Sequence, residues 1–234
     1  MARSPRRVFR LCASIALAGG AGLMLGACTT TIVPPASVDR PQSVFVLDHG
    51  RHSSLVLPHP EGFVRYAYGD WGWYAEVDTG TIEASRAVLL PTRAGLGQSL
   101  TEAPPTREGV RGGLRVGIQE IHEIPVETER VATLRSSLEG LHRDNEDSLK
   151  YNAVYDLAFV EHPEAYAFWN NSNHKVAEWL RQLGCGIEGS AFWASWQVKR
   201  RDSAAAGVGV KSKRDQNPFF SDRGSATWLV EDDI

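Results

Sequence analysis

The sequence predicts an α+β domain built on an antiparallel sheet, with an amphipathic helix packed against it. Apolar runs bounded by turn residues predict three neighbouring strands at residues 44–47, 53–57 and 64–68. A polar cluster followed by apolar residues at helical spacing predicts a helix from Ser172 to Leu183. About 200 residues remain after a predicted leader, which is enough for one domain with its own core.

The turn residues set the limits of the first three strands. The first strand ends at Asp48-His49-Gly50, and Pro58 ends the second. The third strand stops at the loop Gly69-Asp70-Trp71-Gly72-Trp73-Tyr74, which is dense in glycine and aromatic residues. We expect such a loop to line a binding site.

Cap residues, breakers and apolar spacing define the remaining elements. Further helices are predicted at residues 78–90, 127–142 and 190–199. Further strands are predicted at residues 114–124, 155–160 and 227–230. The polar, glycine-rich stretches at residues 92–113 and 202–217 predict surface loops.

The start of the predicted helix at Ser172 has the features of a reactive site. Three residues that can cap a helix, Asn171, Ser172 and Asn173, stand in a row. Gly184 then ends the segment, as a residue just beyond a helix often does. The side chain at Ser172 therefore faces the positive end of the helix, where unpaired N–H groups stabilise an anion.

The N-terminus predicts a lipoprotein signal peptide. Four arginines and no acidic residue precede an apolar run that ends in Leu25-Gly26-Ala27-Cys28. A short core rich in alanine and glycine suits signal peptidase rather than a permanent span. We expect residues 1–27 to be removed, residues 28–42 to be a lipidated cysteine and its tether, and residues 43–234 to be one globular domain.

This signal predicts a protein of the cell envelope, anchored to a lipid membrane through Cys28. Thr29 follows the cysteine in place of aspartate, which in a Gram-negative cell favours the outer membrane, facing the periplasm. The pair Arg6-Arg7 also resembles a twin-arginine motif, so the Sec and Tat export routes both remain open.

The mature composition argues against nucleic acid as a partner. Four of the 25 basic residues lie in the leader, which leaves 21 against 28 acidic residues and a net charge of −7. The sequence also has no basic stripe with interleaved aromatic residues. Loss of Cys12 with the signal and lipidation of Cys28 leave Cys185 without a partner, so no disulfide and no cysteine zinc site are expected.

His52, Asp70 and Ser172 occur in an order that is typical of a hydrolase site. A histidine on an early strand, further strands, and then a nucleophile-type position at a helix start form the circularly permuted order of papain-like domains. We predict Ser172 as the nucleophile, His52 as its base and Asp70 as the residue that orients the imidazole. The binding residues expected around them are Asn170, Asn173, His49, Trp71 and Tyr74.

Three stretches of the chain also carry a family pattern. They are His49-Gly50-Arg51-His52-Ser53-Ser54-Leu55-Val56-Leu57-Pro58, Tyr68-Gly69-Asp70-Trp71-Gly72-Trp73-Tyr74 and Asn170-Asn171-Ser172-Asn173-His174-Lys175. They resemble the motifs of a bacterial lipoprotein family known only as a domain of unknown function and often encoded near urease genes. In that family the third motif usually reads Asn-Thr-Cys-Asn-Thr-Trp, so Ser172 replaces the presumed nucleophilic cysteine.

The resemblance implies a permuted papain-like fold. The chain is similar in element order to permuted NlpC-type domains and to lecithin:retinol acyltransferase-like domains. It implies an antiparallel sheet with the nucleophile helix packed on it, and the chemistry of a cysteine hydrolase.

Simpler interpretations stay open for these residues. Ser172 is a favoured helix cap, and Asp70 in a glycine-rich turn can bond to its own backbone. His49 and His52 point to opposite faces of an extended segment, and no further ligands at metal spacing follow, so neither a metal nor another cofactor is expected. Cys185 as a displaced nucleophile is disfavoured, because it follows the C-terminal end of a helix.

Two function classes follow from the sequence. The serine at the nucleophile position favours a degenerate domain that binds a peptidoglycan peptide or an envelope protein. The alternative is an active amidase, peptidase or acyl-transfer hydrolase that uses Ser172, His52 and Asp70. An open His52 within hydrogen-bond reach of Ser172 would indicate the enzyme, whereas a cleft filled by Trp71 or Trp169 would indicate the binder.

Overall fold

The computed structural model describes residues 29–76 and 90–199. The predicted signal peptide with Cys28, nearly all of the helix predicted at residues 78–90, and the loop and strand predicted beyond residue 200 lie outside the described residues. No helix in the described ranges combines the length and the apolar character needed to cross a bilayer.

The described residues form ten strands, four helices and a short 3₁₀ turn at Glu146–Ser148. The strands are β1 (Thr30–Val33), β2 (Pro41–Asp48), β3 (Ser53–His59), β4 (Gly62–Asp70), β5 (Thr92–Thr101), β6 (Glu120–Glu127), β7 (Lys150–Asn152), β8 (Leu157–Tyr166), β9 (Gly186–Glu188) and β10 (Trp196–Val198). The helices are α1 (Trp71–Tyr74), α2 (Arg107–Gly113), α3 (Thr128–Asp144) and α4 (Ser172–Gln182).

Seven strands form one antiparallel sheet in the order β6-β2-β3-β4-β5-β8-β7. The strands from β2 to β5 are neighbours in sequence and in the sheet, which is the arrangement that short connections favour. This confirms the α+β class and the antiparallel sheet predicted from the sequence.

Helices α3 and α4 cover one face of this sheet. Their apolar stripes join the inward residues of β2, β3 and β4 in the main core. The residues contributed by α3, by α4 and by the position that ends α4 are Val131, Leu134, Leu138, Val176, Ala177, Trp179, Leu180 and Leu183. On the opposite face lie two smaller apolar clusters, one around Phe63 and Val110 and one around Trp71 and Phe159.

A second, three-stranded sheet has the order β10-β1-β9. Strand β1 is parallel to β10 and antiparallel to β9. The expectation that residues 28–42 are only a tether is therefore corrected, because Thr30–Val33 is a strand and Ile32 is fully buried. The helix predicted at residues 190–199 is also wrong, since that segment supplies β10 instead.

The surface loop expected at residues 92–113 is not observed, and this is the largest difference between the prediction and the structure. This segment contains β5, a central strand, and α2. Glycine has a low strand propensity, which misled the prediction, but here it makes room for aromatic side chains. A Cβ on Gly97 would lie 2.7 Å from Phe159, and one on Gly95 would lie 3.2 Å from both Phe159 and Trp71.

The other strands differ from their predictions mainly at their ends. Strand β3 continues through Pro58, because its pairing with β2 ends at Val56 and the missing N–H interrupts no ladder on that side. Strand β6 starts at Glu120 rather than at residue 114. Strand β8 starts at Leu157 rather than at residue 155 and continues to Tyr166.

Candidate functional site

Ser172 is the first residue of α4, and Asn171 is the residue that caps the helix. The Asn171 backbone is extended, and its Oδ1 accepts hydrogen bonds from the backbone N–H groups of Asn173 at 2.9 Å and His174 at 3.1 Å. Capping therefore does not occupy the Ser172 hydroxyl. This removes the simpler interpretation of Ser172 as a helix cap.

His52 faces Ser172 from the turn between β2 and β3. Its Nδ1 lies 3.4 Å from Ser172 Oγ, within reach of a hydrogen bond in which the hydroxyl donates to a neutral imidazole. The edge of its ring contacts Tyr74, with 5.5 Å between the ring centroids. The sequence-predicted nucleophile and base are thus brought together.

Burial controls the charge of His52. Burial is the main cause, and together with smaller electrostatic effects of His49 and Arg51 it lowers the pKa of His52 to about 4. The imidazole is therefore neutral at pH 7. A neutral ring is the form that can accept a proton from a nucleophile.

A buried polar network holds His52 against the start of α4. Asn173 Oδ1 accepts a hydrogen bond from Ser53 Oγ at 2.8 Å, and Asn173 Nδ2 donates to the backbone oxygen of Arg51 at 3.2 Å. The Ser53 hydroxyl also accepts from Trp196 Nε1 at 2.6 Å. Both neighbours of His52 are therefore bonded to one side chain of the helix, which restricts the position of the imidazole.

Sequence reasoning missed two members of this network, Ser53 and Trp196. The only available signal was the serine that directly follows His52 in the first motif. Nothing local in the sequence indicates that a tryptophan 143 residues further on donates to that serine.

Asp70 lies elsewhere in the fold. Its Oδ1 accepts the backbone N–H of Trp73 at 2.8 Å and so caps α1, and its Oδ2 accepts from the Thr92 hydroxyl. No hydrogen bond joins Asp70 to His52 in the part of the chain that the structure describes. The structure thus brings two of the three predicted catalytic residues together and shows the third in a local turn.

A cavity of about 310 Å³ lies beside His52. His49, Tyr74 and the buried Arg65 contribute to its wall, and no acidic side chain is among its described lining residues. Trp71 is packed in a core cluster and Trp169 is 64% exposed, so neither fills this space. Ser172 itself is buried and is not among the residues that line the cavity, so His52 is the residue that connects the two.

His49, one of the expected binding residues, has a fixed tautomer. Its Nδ1 lies 2.6 Å from the carbonyl oxygen of Gly117, which can only accept, so Nδ1 carries the proton. Its Nε2 lies 2.9 Å from Ser54 Oγ and accepts from that hydroxyl when the ring is neutral. Burial lowers the pKa of His49, which favours this neutral form.

The remaining expected site residues have structural contacts. Asn170 Nδ2 donates to the backbone oxygen of Ala165 at 2.9 Å and to Tyr68 Oη at 3.2 Å, and so closes the turn before α4. Trp71, the first residue of α1, is buried, and its Nε1 donates to Glu76 at 3.2 Å. Asn173 and Tyr74 lie at the site, as described above.

Two other chemistries were weighed from the sequence. No group of three or more His, Cys, Asp and Glu side chains that could hold a metal ion occurs among residues 29–76 and 90–199. Cys185 is buried, and burial raises the pKa of its thiol to about 11, so it is not a thiolate at neutral pH.

Comparison of this chain with known protein families, with curated proteins and with solved structures found no match.

Proposed function

We propose that this protein is a serine variant of a permuted papain-like hydrolase, related to the lipoprotein family and the NlpC-type domains that its motifs resemble. The observation that carries the proposal is the 3.4 Å contact between Ser172 Oγ and His52 Nδ1 at the start of α4. The chain order of histidine, sheet and nucleophile helix supports the permuted arrangement, as does the packing of α4 on the sheet.

In the proposed reaction Ser172 Oγ attacks a carbonyl carbon, and its proton passes to His52 Nδ1. The carbonyl oxygen becomes an oxyanion beside the N-terminus of α4. There the backbone N–H of Ser172 has no hydrogen-bond partner among the described residues and is available as a donor. His52 then gives its proton to the leaving amine or alcohol, and an acyl-enzyme forms. Water, deprotonated by His52, releases the acid and restores Ser172.

The proposed setting is the cell envelope, with the protein held on a lipid membrane through Cys28. The basis for this proposed anchor is the signal sequence that ends in Leu25-Gly26-Ala27-Cys28. The substrate classes that fit are amides of peptidoglycan peptides and acyl groups of lipids. Growth with radiolabelled palmitate tests the anchor, because Cys28→Ser should abolish incorporation and move the protein out of the membrane fraction.

A second candidate is a degenerate domain that binds a cell-wall peptide or an envelope protein without reaction. Two observations favour it: Ser172 is only 2% exposed, and no carboxylate of the described residues orients His52. A serine hydroxyl needs stronger base assistance than a thiol, so these features bear directly on reactivity.

Labelling with a fluorophosphonate, read by intact mass, separates the two candidates. The protein should be the mature chain from residue 28 with Cys28→Ser, because β1 begins at Thr30 and must be kept. The hydrolase predicts one adduct on Ser172, with none in Ser172→Ala and at least a tenfold slower reaction in His52→Ala. No adduct with the parent chain, but rapid reaction of Ser172→Cys with iodoacetamide at neutral pH, would support the binding domain instead.

A further inference from the structure

Arg65 is a buried cation on β4 that lines the cavity beside His52. The residue is 2% exposed. Its Nη2 donates to the backbone oxygen of Tyr155 and, at 3.1 Å, to that of Asp156. Its Nε is buried and has no partner in the described part of the chain. The protein therefore satisfies only part of the hydrogen-bonding capacity of the Arg65 guanidinium.

The charge of Arg65 is not balanced by a direct ion pair. No carboxylate forms one with it among the described residues, and the side chain of Asp156 accepts instead from Tyr151 Oη at 2.8 Å. Burial lowers the pKa of Arg65 to about 10, so the group is still charged at neutral pH. Burying a charge without a paired anion is costly, and a bound anion would relieve that cost.

The rest of the cavity wall suits an anion with an apolar body. A second arginine, the exposed Arg115, lies at the wall, and no acidic residue does. The apolar part of the wall is formed by Ala67, Val116, Val154, Leu157 and Phe159. A monoanion matches this guanidinium better than a dianion does, because it brings one charge for one buried cation. Nη2 is already used by two carbonyl groups, and Nε–H is the buried donor that remains for the anion.

We propose that Arg65 binds a carboxylate of the molecule on which Ser172 and His52 act, with the apolar part of that molecule in the cavity. The substrate is then an acyl or peptidyl compound that bears a free carboxylate. That this molecule is a substrate rests on the proposed hydrolase function. The carboxylate site does not rest on that function, because it would exist equally in a domain that only binds.

Calorimetric titration with hexanoate and its neutral isostere hexanamide tests the site. The mature chain carrying Cys28→Ser and Ser172→Ala removes the hydroxyl, so the result is independent of any reaction at that position. We expect hexanoate to bind at least tenfold more tightly than hexanamide. Arg65→Met should abolish this preference, and Arg65→Lys should retain part of it.

Arg135→Met is the matched control. Arg135 also donates to a backbone carbonyl, that of Pro58 at 2.6 Å, but it does not line the cavity. Equal affinities for hexanoate and hexanamide would overturn the proposal, even if Arg65→Met fails to fold. An unchanged preference in a folded Arg65→Met chain would also overturn it. Neither result depends on whether Ser172 reacts with the fluorophosphonate.

Four aromatic residues from two segments of the chain form a second feature, and three of them are exposed. We call Phe168, Trp169, Phe192 and Trp193 the aromatic patch. Phe168, Trp169 and Trp193 are 48%, 64% and 51% exposed. The Phe192 ring lies between two of them, 4.2 Å from Phe168 and 5.0 Å from Trp193 between centroids. Such a cluster of exposed aromatic side chains indicates an interaction surface.

The chain enters the domain beside this patch. Thr30 Oγ1 accepts the backbone N–H of Ala191 at 2.9 Å, and the Thr30 N–H donates to the oxygen of Ser195 at 2.8 Å. These contacts flank the segment that carries half of the aromatic patch. Cys28, the predicted lipidated residue, is two residues before Thr30 in the chain, a span of at most about 7 Å.

We infer that the aromatic patch lies in the interface of a bilayer, an inference that rests on the proposed anchoring of the protein through Cys28. Tryptophan favours this region because its ring is apolar and its N–H stays hydrated. Ser172 follows Trp169 by three residues, so the start of α4 lies near the membrane surface in this arrangement. The substrate of the site would then be reached from the bilayer side.

Sedimentation with vesicles of phosphatidylethanolamine and phosphatidylglycerol tests this surface. The mature chain with Cys28→Ser should bind without its lipid, and Trp169→Ser with Trp193→Ser should lower the partition coefficient at least fivefold. Leu149→Ser with Tyr151→Ser is the control, since these side chains are 43% and 62% exposed at the edge of the sheet. Equal losses in both double variants, or no vesicle binding by the parent chain, would refute the inference.

Discussion

The depressed pKa of His52 predicts a specific dependence of stability on pH. Its pKa is about 4 in the folded protein and about 6.5 in an unfolded chain. Between these values the unfolded chain binds a proton that the native state does not bind. The free energy of unfolding must therefore fall as the pH falls from about 6.5, and the loss due to this group levels off once the pH has passed below the folded pKa of about 4.

The size of the effect follows from the same two values. At pH 4.5 the contribution relative to pH 7 is on the order of 2 kcal/mol, which is a large fraction of the stability of a single domain. His52→Gln removes the proton site and keeps a polar side chain. The variant should therefore lose on the order of 2 kcal/mol less free energy of unfolding than the wild type over this pH range.

Urea unfolding at pH 7.0, 6.0, 5.0 and 4.5, followed by tryptophan fluorescence, measures the difference. Other histidines whose pKa values are also lowered remain in both chains, so the comparison isolates His52; these are His49, His122, His162 and His174. Parallel stability profiles for wild type and His52→Gln would refute the argument, because they would show that burial does not suppress protonation of this ring.

Three further predictions concern the site and the core. Asn173→Ala should lower the free energy of unfolding by about 1–3 kcal/mol and slow labelling of Ser172, since it leaves the buried Ser53 hydroxyl without that acceptor; urea unfolding and intact mass measure these. As the pH is lowered, the rate of Ser172 labelling should decrease near pH 4 rather than near pH 6.5, because His52 must be neutral to act as a base. A decrease centred near pH 6.5 would contradict this. Leu180→Ala should cost about 2–5 kcal/mol in thermal or urea unfolding, whereas exposed Leu149→Ala should cost less than about 0.5 kcal/mol.

Local sequence signals were sufficient for the helices that position the site. In α4 the apolar residues recur at helical spacing, and Gly184, at φ +90°, has the left-handed backbone expected just beyond a helix end. Strands β2, β3 and β4 were also predictable, because each buried run is bounded by turn residues. These features depend on interactions within a few residues along the chain.

Packing between distant segments decided the elements that were not predicted, above all β5 and β1. The glycines of β5 predict a loop by local propensity, yet Gly95 and Gly97 are required because the Phe159 ring packs directly against β5 at these positions. Thr30–Val33 consists of four β-branched residues, which favour a strand, but the prolines that follow it led to the prediction of a tether. That the segment pairs with β9 and β10 depends on residues far away in the sequence.

The same division holds within the candidate site. The motifs and the chain order were enough to predict that Ser172 and His52 meet, but not that Asn171 caps the helix while Asp70 bonds to Trp73 and Thr92. The burial of Arg65 likewise depends on how the turn at Tyr155 closes over β4. The sequence by itself determined which chemical groups are present and roughly where each helix and strand forms. Their contacts were decided by tertiary structure, because a hydrogen bond or a burial cost depends on distances between residues that the chain order does not specify.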